Sequence, residues 1–416
     1  MTGRAPEIED GPHGVEADIR GDGRRPSGLR PIDVAARVHP SVDQTALRLT
    51  GQIVGGRFQL LSILGLGGMG VVYEAINVIT RKRAAVKLIL SSAETARQMG
   101  MRFEREARAT AALDSEHIVQ IFDSGLDEAT QHPYIAMELL AGETLSSLSE
   151  RLGPLPEDVA LRLAAHVLLG LATAHEAGVI HRDVKPANIF IVHTDAGDCI
   201  AKVIDFGIAK ILVSEATPGE SGSITDGMFL GSPRYTAPEQ IIDERGVDPR
   251  ADIWSVGAVL AQLLTGQKPH AGLNSITEIL LAVCEDEAPD VRTLAPWTSP
   301  SAAAVVGKAL RRKPDDRFAS AREMLASIRA IVGDSLGLGA MHLVPLSAAP
   351  QAMSDVSPTS PYMRSACPGP ASGLAQSTEE DTVPIRREVR ALRAYRPVTD
   401  GPPASEARIR RVPKVP

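Results

Sequence analysis

Cysteine, long apolar runs and an excess of positive charge are all missing or scarce in this sequence of 416 residues. Its three cysteines are too few and too far apart for a disulfide framework or for a zinc site with CxxC spacing. No apolar run reaches the roughly 18 residues that a membrane-spanning helix requires. The N-terminus carries charges where a signal peptide would have its apolar core. We therefore expect a cytoplasmic protein with reduced thiols and no membrane span.

The charge balance and the lack of repeats exclude further classes. The chain has 44 Lys and Arg against 51 Asp and Glu, a net charge of -7. Without a general excess of positive charge, nucleic-acid binding has little support. No repeat of fixed period is found, which argues against a solenoid or a propeller. The hydrophobic fraction of 44% is ordinary for globular proteins, so part of the chain can bury a substantial core.

Composition divides the chain into three parts. Residues 1–56 are rich in Gly, Pro, Arg and Asp and lack sustained periodicity, which predicts a disordered N-terminal leader. Residues 57–333 contain the aliphatic runs and helical patterns expected of one compact domain. Residues 334–416 are rich in Pro, Ser, Ala and Arg, which predicts a disordered tail.

Within the compact part, strand patterns come first and helical patterns follow. The predicted strands cover 57–65, 71–77, 84–90, 119–123 and 134–139. The predicted helices cover 94–113, 157–177, 251–264, 299–310 and 320–331. This order predicts an α+β fold with two lobes, a β-rich N-lobe and a mainly α-helical C-lobe.

The first motif that indicates ligand binding is a glycine-rich stretch. Glycine lets the backbone approach a ligand closely, so that consecutive N–H groups can face phosphate oxygens. The stretch consists of Gly65, Leu66, Gly67, Gly68, Met69, Gly70, Val71 and Val72. Taken alone, it is also consistent with a plain glycine-rich turn. A dinucleotide-binding turn would need a helix after the last glycine and an acidic residue ~20 positions on. A strand pattern and a lysine occur there instead, which excludes that alternative.

That lysine, Lys87, lies near the end of an apolar strand. A buried ammonium without a partner is costly, so we expect Lys87 to meet phosphate and a carboxylate. Glu106, on the helix that follows, is the candidate partner. In isolation Glu106 is better explained as a solvated helix charge, and the motifs downstream are what favour the pair.

Three motifs further along the chain decide the interpretation. They are His181-Arg182-Asp183-Val184-Lys185-Pro186-Ala187-Asn188, Asp205-Phe206-Gly207 and Ala237-Pro238-Glu239. With the glycine-rich stretch and Lys87, they occur in the order found in eukaryotic-type serine/threonine protein kinases. The sequence resembles that family over about residues 57–333. The glycine-rich stretch most resembles that of the bacterial, Hanks-type members.

The resemblance implies transfer of the γ-phosphate of ATP to Ser or Thr hydroxyls of protein substrates. Asp183 would accept or orient the proton of the acceptor hydroxyl, and Lys185 would neutralise the group in transit. Asn188 and Asp205 offer hard oxygen ligands, which suit Mg²⁺, with Mn²⁺ as an alternative. Lys185, together with the element Gly231-Ser232-Pro233, also favours Ser and Thr over Tyr as acceptors.

The resemblance also implies a nucleotide pocket between the lobes. Lys87, paired with Glu106, would hold the α- and β-phosphates of ATP. The backbone from Glu138 to Leu140 would hydrogen-bond the edge of adenine. The apolar lining would consist of Leu64, Val72, Ala85 and Phe190, with Met137 at the gatekeeper position. By their sequence neighbourhood alone, these apolar residues could equally be plain core.

Two supporting contacts are implied by the same resemblance. Asp252 would brace the first motif through backbone N–H groups, and Glu239 would pair with Arg317. Without the motif context, a Glu and an Arg this far apart in the chain would be expected to make no contact.

The segment between the second and third motifs is the predicted activation loop. Arg182 offers a cation to a phosphate on this segment, so we expect activation by autophosphorylation. The candidate acceptors are, in order of preference, Thr225 and Ser223, followed by Ser221 and Thr217.

Two alternatives and two partners remain open at this point. A small-molecule kinase of similar fold would lack the long loop that ends in the third motif. A catalytically dead scaffold would have lost Lys87, Asp183 or Asp205, and all three are present. The acidic run with Thr378 and Thr382 in the tail is a candidate phosphopeptide for a partner domain, and a homodimer is possible.

Overall fold

A computed structural model of the chain describes residues 46–67, 70–90, 103, 105–194, 197–206, 232–242 and 246–343. These residues form a β-rich lobe followed by a mainly helical lobe, which confirms the predicted α+β fold with two lobes. In this part of the chain, no helix has both the length and the apolar character needed to cross a bilayer.

Six antiparallel strands form the sheet of the N-lobe, in the order β1-β2-β3-β4-β6-β5. They are β1 (Ile53–Val54), β2 (Phe58–Gly67), β3 (Gly70–Asn77), β4 (Arg83–Ile89), β5 (Ile121–Leu126) and β6 (Pro133–Met137). Helix α1, over residues 105–111, precedes β5. Branched and aromatic side chains such as Val71, Tyr73 and Val86 fill the buried face, where their shape suits a pleated surface.

The core of the N-lobe includes a segment that composition assigns to the disordered leader. Ala46 and Leu49, three residues apart on one helical turn, are buried with Val54 of β1. The Tyr73 hydroxyl donates a hydrogen bond to the Ala46 carbonyl oxygen at 2.8 Å. The folded part therefore begins before residue 57. A sequence pattern does not reveal this turn, because two apolar residues at i and i+3 are too few to establish a period.

Two long helices, α3 and α5, form the centre of the C-lobe and are apolar around most of their circumference. The helices are α2 (Leu145–Leu152), α3 (Glu157–Glu176), α4 (Pro238–Ile242), α5 (Arg250–Thr265), α6 (Ile276–Glu285), α7 (Pro300–Ala309) and α8 (Ala321–Val332). Short 3-10 turns occur at Pro186–Asn188, Pro233–Tyr235, Val291–Thr293, Pro314–Asp316 and Ala340–Leu343.

A glycine in the middle of α3 allows an extended segment to cross the helix closely. A Cβ atom on Gly170 would lie 2.7 Å from the His117 carbonyl oxygen, so a side chain there would push the backbone away. The same carbonyl accepts a hydrogen bond from the Val203 N–H at 2.8 Å. Gly170 thus helps to bring Val203 next to the centre of the C-lobe.

A second, smaller sheet carries two of the predicted motifs. Its strand order is β10-β9-β8-β7, and all its pairs are antiparallel. The strands are β7 (Gly142–Thr144), β8 (Ile189–His193), β9 (Asp198–Val203) and β10 (Leu338–Gly339). β8 begins directly after Asn188, and β9 ends two residues before Asp205. The sheet therefore fixes the backbone at both of these positions.

Candidate active site

His181 joins the first and second motifs. Its side chain is fully buried, and its Nδ1 accepts a hydrogen bond from the Asp183 N–H at 3.2 Å. Its Nε2 lies 3.0 Å from the Ile204 carbonyl oxygen and donates to it, and its ring packs on Phe206 with centroids 4.7 Å apart. Burial is the main cause that lowers the pKa of His181. The neutral imidazole therefore holds the backbone before Asp205 against the loop that contains Asp183.

Asp252, fully buried on α5, braces the same loop as predicted. Its carboxylate accepts hydrogen bonds from the N–H groups of His181 at 2.9 Å and Arg182 at 2.8 Å. The Nε2 of His175 donates a third, at 2.8 Å. Burial acts to raise the pKa of Asp252, but the bond from His175 and the nearby imidazoles outweigh it and lower the pKa. The brace also stabilises Arg182, whose φ of 63° is costly for a residue with a side chain.

Two polar side chains contact Asp183. The Asn188 amide nitrogen donates to the Asp183 carboxylate at 3.0 Å and to its carbonyl oxygen at 2.9 Å. The Lys185 ammonium lies 3.0 Å from the same carboxylate. The 3-10 turn Pro186–Asn188 produces this arrangement, because it returns Asn188 toward the start of the loop within five residues. Carboxylate, ammonium and amide therefore face one small volume.

The second pair of predicted residues lies beside this cluster. The Lys87 ammonium, on β4, is 2.8 Å from the Asp205 carboxylate. Asp205 has a φ of 57°, an unusual backbone conformation for a non-glycine residue. The preceding residue, Ile204, donates its N–H to the Asn188 carbonyl oxygen at 2.9 Å. Through this bond the structure brings Lys87, Asp205, Asn188 and Asp183 into one site from three separate stretches of chain.

Glu106 makes a different ion pair from the one predicted. Its carboxylate lies 3.7 Å from the guanidinium of Arg105, and 27% of its side chain is exposed. Within the described residues, Lys87 pairs with Asp205 instead. The Lys87 side chain is only 18% exposed, so its ammonium requires a carboxylate partner, and Asp205 supplies one at 2.8 Å. Glu106, with more than a quarter of its side chain in water, does not require the lysine.

The glycine-rich stretch forms the hairpin between β2 and β3. Gly67 pairs with Gly70, Leu66 with Val71 and Gly65 with Val72. A Cβ atom on Gly70 would lie 2.0 Å from the Leu88 carbonyl oxygen, so this position accepts only glycine. Gly68 and Met69 lie outside the described residues.

The predicted adenine-contacting residues lie mostly in one hydrophobic cluster. Leu64, Val72, Ala85 and Leu140 share it with Met137, and Ala85 pairs with Met137 across β4 and β6. Phe190 is half-buried on β8, outside the set of residues that form this cluster in the described part of the chain. A Cβ atom on Gly142 would lie 3.3 Å from its ring.

The segment after β6 carries a contact that sequence reasoning missed. The Glu138 carboxylate accepts hydrogen bonds from the Lys202 ammonium at 2.6 Å and from the Gln120 N–H at 2.9 Å. Lys202 belongs to β9, so this ion pair links the strand before Asp205 to the connection between the lobes. A lysine in the otherwise apolar run Ile200-Ala201-Lys202-Val203 is the sequence signal that could have indicated a partner.

The third motif is anchored as predicted. The Glu239 carboxylate forms a two-pronged ion pair with Arg317, with N–O distances of 2.6 and 2.7 Å. The Arg317 side chain is fully buried, and its other donors bind the carbonyl oxygens of Arg250, Arg311 and Arg312. Gln240 then donates to the Arg182 carbonyl oxygen at 2.9 Å, which ties this motif to the first one.

The remaining predictions concern residues outside the described part of the chain. Thr217, Ser221, Ser223 and Thr225 belong to the segment 207–231, and Thr378 and Thr382 belong to the tail. In the part that the structure describes, no cluster of three or more His, Cys, Asp or Glu side chains forms a metal site. Asp205 and Asn188 are the two predicted metal ligands, and both lie in this site.

Comparisons with known proteins agree with this geometry. The family model described as a protein kinase domain matches residues 58–328. Serine/threonine-protein kinase PknB of Mycolicibacterium smegmatis is 36% identical over 337 residues, covering 80% of this chain and 50% of PknB. PknL of Mycobacterium tuberculosis is 35% identical over 284 residues, covering 68% of this chain and 67% of PknL.

A solved structure shows the same fold. The PknI kinase domain of Mycobacterium tuberculosis has 26% sequence identity and a TM-score of 0.53, and the match covers 68% of this chain and 98% of that domain. The chain spans only half the length of PknB, so the comparison concerns the kinase domain and not the remainder of that relative.

Proposed function

The chain belongs to the protein kinase family, as a relative of bacterial serine/threonine-protein kinases, and on that premise we propose that it transfers the γ-phosphate of ATP to Ser and Thr hydroxyls of proteins. One observation carries the proposal. The cluster of Asp183, Lys185 and Asn188 lies one backbone hydrogen bond away from the pair of Lys87 and Asp205. Phosphoryl transfer needs this combination of a proton acceptor, cations and oxygen ligands.

Asp183 receives the role of proton acceptor for the hydroxyl of the substrate. Its carboxylate is oriented by the Asn188 amide and by its position after the buried His181. Lys185 contacts the same carboxylate at 3.0 Å, so an acceptor hydroxyl at Asp183 would have a cation beside the group that is transferred. General-base positioning of this kind contributes about 10²–10⁴-fold to a rate.

The donor set at Asn188 and Asp205 fits a hard divalent cation. The Asn188 amide nitrogen is used by Asp183, which leaves its oxygen as the atom able to ligate. Mg²⁺ typically takes one or two protein oxygens together with substrate phosphates, and we propose Mg²⁺, with Mn²⁺ as the alternative. When bound, such an ion neutralises charge on the phosphates. The chain itself contributes the fixed backbone at both positions.

Lys87 and the hairpin of β2 and β3 receive the role of holding the phosphates. Lys87 reaches Asp205 from the N-lobe, and Val72 of the glycine-rich stretch pairs with Lys87 across β3 and β4. The apolar cluster with Leu64, Val72, Ala85 and Leu140 offers a surface for adenine. Phe190 as the lower contact, the hinge hydrogen bonds from Glu138 to Leu140, and the Lys87–Glu106 pair all remain predictions.

Activation by autophosphorylation is part of the proposal. Arg182 supports it, since its buried Nε has no hydrogen-bond partner among the described residues and a phosphate could supply one. Thr225 and Ser223 are the proposed acceptors. A Thr225→Ala variant that kept full activity and an unchanged phosphopeptide map would remove Thr225.

The biological setting follows from the same proposal. Its partners would be proteins with Ser or Thr acceptors, a phosphopeptide-binding domain for the tail, and a second copy of the chain in a homodimer. A cytoplasmic location agrees with the free thiols of Cys199 and Cys284, which fit a reducing compartment.

The test is a transfer assay with the purified full chain, γ-labelled ATP and a generic Ser/Thr protein substrate. We expect labelled phosphoserine and phosphothreonine in the presence of Mg²⁺ and none after chelation. Asp183→Asn should lower the transfer rate by at least about 10²-fold. Asp286→Asn, at an exposed carboxylate, is the matched control and should keep the wild-type rate.

The outcomes separate the proposal from its alternatives. A wild type that binds ATP but labels neither itself nor the substrate would favour a scaffold. Labelling of small molecules without labelling of protein would favour a small-molecule kinase. Equal rates in the wild type and in Asp183→Asn would remove Asp183 from the mechanism.

A further inference from the structure

The chain continues past the kinase domain match, and the first eleven residues after α8 fold back onto the C-lobe. We call residues 333–343 the strap. Its strand β10 pairs antiparallel with β9, with Leu338 opposite Cys199 and Gly339 opposite Asp198. The Ala340 N–H donates to the Gly197 carbonyl oxygen at 3.1 Å. The match to the kinase domain model ends at residue 328, so the strap lies outside it.

Buried side chains and hydrogen bonds hold the strap against the C-lobe at several points. Leu338 is fully buried and Leu343 is 4% exposed, and both belong to the main core cluster of the C-lobe. The Arg162 guanidinium of α3 donates to the carbonyl oxygens of Ser335 and Gly337. At the C-terminal end of the strap, the guanidinium of Arg151 on α2 donates to the Leu343 carbonyl oxygen at 3.3 Å. Burial and repeated hydrogen bonds are the signs of an integral element rather than a passing contact.

One buried histidine connects the strap to β9. His166 of α3 is 5% exposed, and its Nδ1 accepts a hydrogen bond from the Ala201 N–H at 3.2 Å. Its Nε2 then donates to the Leu336 carbonyl oxygen at 3.0 Å. The Nδ1 of His117 donates to the Ala201 carbonyl oxygen at 3.1 Å, so both polar groups of Ala201 are held by imidazoles. An imidazole with one acceptor and one donor nitrogen fits between an N–H and a C=O group.

His166 contacts β9, which ends two residues before the candidate metal ligand Asp205. Ala201 lies four residues before Asp205, and Val203 is fixed to the His117 carbonyl oxygen at 2.8 Å. On its two sides β9 pairs with β8 and with the strap. A shift in the register of β9 would therefore move Asp205 relative to Asn188, and a ligand displaced by a fraction of an ångström binds its ion poorly.

We propose that the strap is part of the catalytic unit and that His166 is a positioning residue, which sets the place of Asp205 through β9. The proposal rests on the proposed function for the role of Asp205 as a metal ligand. Groups that orient a ligand without touching the ion typically change metal affinity or activity by about 10–100-fold when they are removed.

The experiment compares two variants of the full chain at one position. His166→Phe keeps a flat ring and removes both hydrogen bonds, whereas His166→Gln keeps one acceptor and one donor without the ring. We expect His166→Phe to raise the Mg²⁺ concentration for half-maximal transfer about tenfold, with the KM for the protein acceptor unchanged. His166→Gln should restore a Mg²⁺ requirement close to that of the wild type.

A second variant covers the case in which His166→Phe does not fold. Arg162→Met removes the guanidinium that holds Ser335 and Gly337, and we expect it to raise the Mg²⁺ requirement in the same direction. Arg329→Met, at an exposed arginine of α8, is the matched control and should leave the requirement unchanged. Hydrogen exchange followed by mass spectrometry should show faster exchange over 198–203 and 333–343 in His166→Phe and Arg162→Met only.

Failure of this inference can be told apart from failure of the proposed function. A wild type without Mg²⁺-dependent transfer would overturn the proposed function. An active wild type whose Mg²⁺ requirement and exchange over 198–203 are unaltered by His166→Phe and Arg162→Met would overturn this inference alone. A general loss of kcat with an unchanged Mg²⁺ requirement would indicate a merely structural role and would also overturn it.

Discussion

The loop with Asp183 and the β4 side of the site, where Lys87 pairs with Asp205, both supply charges but are built differently. Asp252 and the Arg317 side chain, which hold the loop and the motif beside it, are fully buried and bind several partners each. On the other side, Lys87 and Asp205 form a pair whose side chains are 18% and 31% exposed. Glu106 is also partly exposed, and among the described residues it pairs with its neighbour in sequence, Arg105.

The two regions differ in the free energy that is lost when a charged residue changes its partner. A fully buried charge that loses its partner costs several kcal/mol, so the loop with Asp183 is fixed in its arrangement. The pair of Lys87 with Asp205 is partly open to water, which screens it, so Lys87 can exchange one carboxylate for another at a lower cost than a fully buried charge can. We infer that the acceptor side of the site is formed in advance, whereas the nucleotide side can still rearrange, including toward the predicted pair of Lys87 and Glu106.

Removal of the Asp252 carboxylate should give the largest effect on stability. Asp252→Ala leaves two backbone N–H groups and His175 without their acceptor in the core. We expect a loss of about 3–5 kcal/mol in the free energy of unfolding and no measurable transfer activity. Urea unfolding followed by circular dichroism measures the loss. A change below about 1 kcal/mol, as expected for the exposed control Asp286→Ala, would contradict the comparison.

Arg317→Lys should have the next largest effect. Lysine keeps the charge but cannot form the two-pronged pair with Glu239 or reach three carbonyl oxygens at once. We expect a loss of about 2 kcal/mol in the free energy of unfolding, with Arg329→Lys on the surface of α8 as the control. Equal stability in the two variants would show that the geometry of the fork is unimportant here.

The pH dependence of stability should carry a contribution from His166. Burial is the main cause, followed by the nearby His117, that lowers the pKa of His166 from 6.5 to about 4. The folded state thus favours the neutral imidazole, so its contribution is full above pH ~6.5 and is lost as the pH falls toward ~4. The contribution amounts to roughly 3 kcal/mol at most.

The measurement is the slope of unfolding free energy against pH between 5 and 6.5. Burial also lowers the pKa values of His117 and His181, so the wild type alone does not isolate one histidine. His166→Gln should have a shallower slope than the wild type, by up to one proton. Parallel curves would show that His166 takes up protons equally in the folded and unfolded states, so that folding does not lower its pKa.

The smallest effect on stability is expected on the β4 side. Lys87→Met and Glu106→Gln should each change the free energy of unfolding by no more than about 1 kcal/mol, because both groups are partly exposed. Transfer activity should nevertheless fall sharply in Lys87→Met. Glu106→Gln should lower it only if the two residues pair during turnover, so an unchanged rate would remove that pair. Measured kcat and KM values for ATP decide this point.

Short motifs made much of the site predictable from the sequence. Asp183, Lys185 and Asn188 fall within six residues, so their mutual contacts follow from one local turn. The family resemblance supplied the two long-range contacts, Asp252 with the loop and Glu239 with Arg317, and the structure confirms both. The two-lobed fold was predictable because the strand patterns come first in the sequence and the long helical patterns follow them.

Other parts could not be predicted, for physical reasons that differ. β10 is two residues long and has no period of its own, so its pairing with β9 depends on contacts made elsewhere by the strap. His166 lies among apolar residues of α3, where a sequence pattern does not distinguish a packed histidine from one that bridges two segments. The partner of Glu106 depends on a small difference in free energy between alternative ion pairs of a partly exposed side chain. The amino-acid sequence alone does not reveal so small a difference.

The most direct test of the central claim is calorimetric binding of a non-hydrolysable ATP analogue with and without Mg²⁺. The claim is that residues from both lobes form one site for nucleotide and cation. We predict that Mg²⁺ strengthens binding of the analogue to the wild type and that Asp205→Asn loses most of this strengthening while still folding. If wild type and Asp205→Asn responded to Mg²⁺ equally, Asp205 would have no part in a shared site and the account would be wrong.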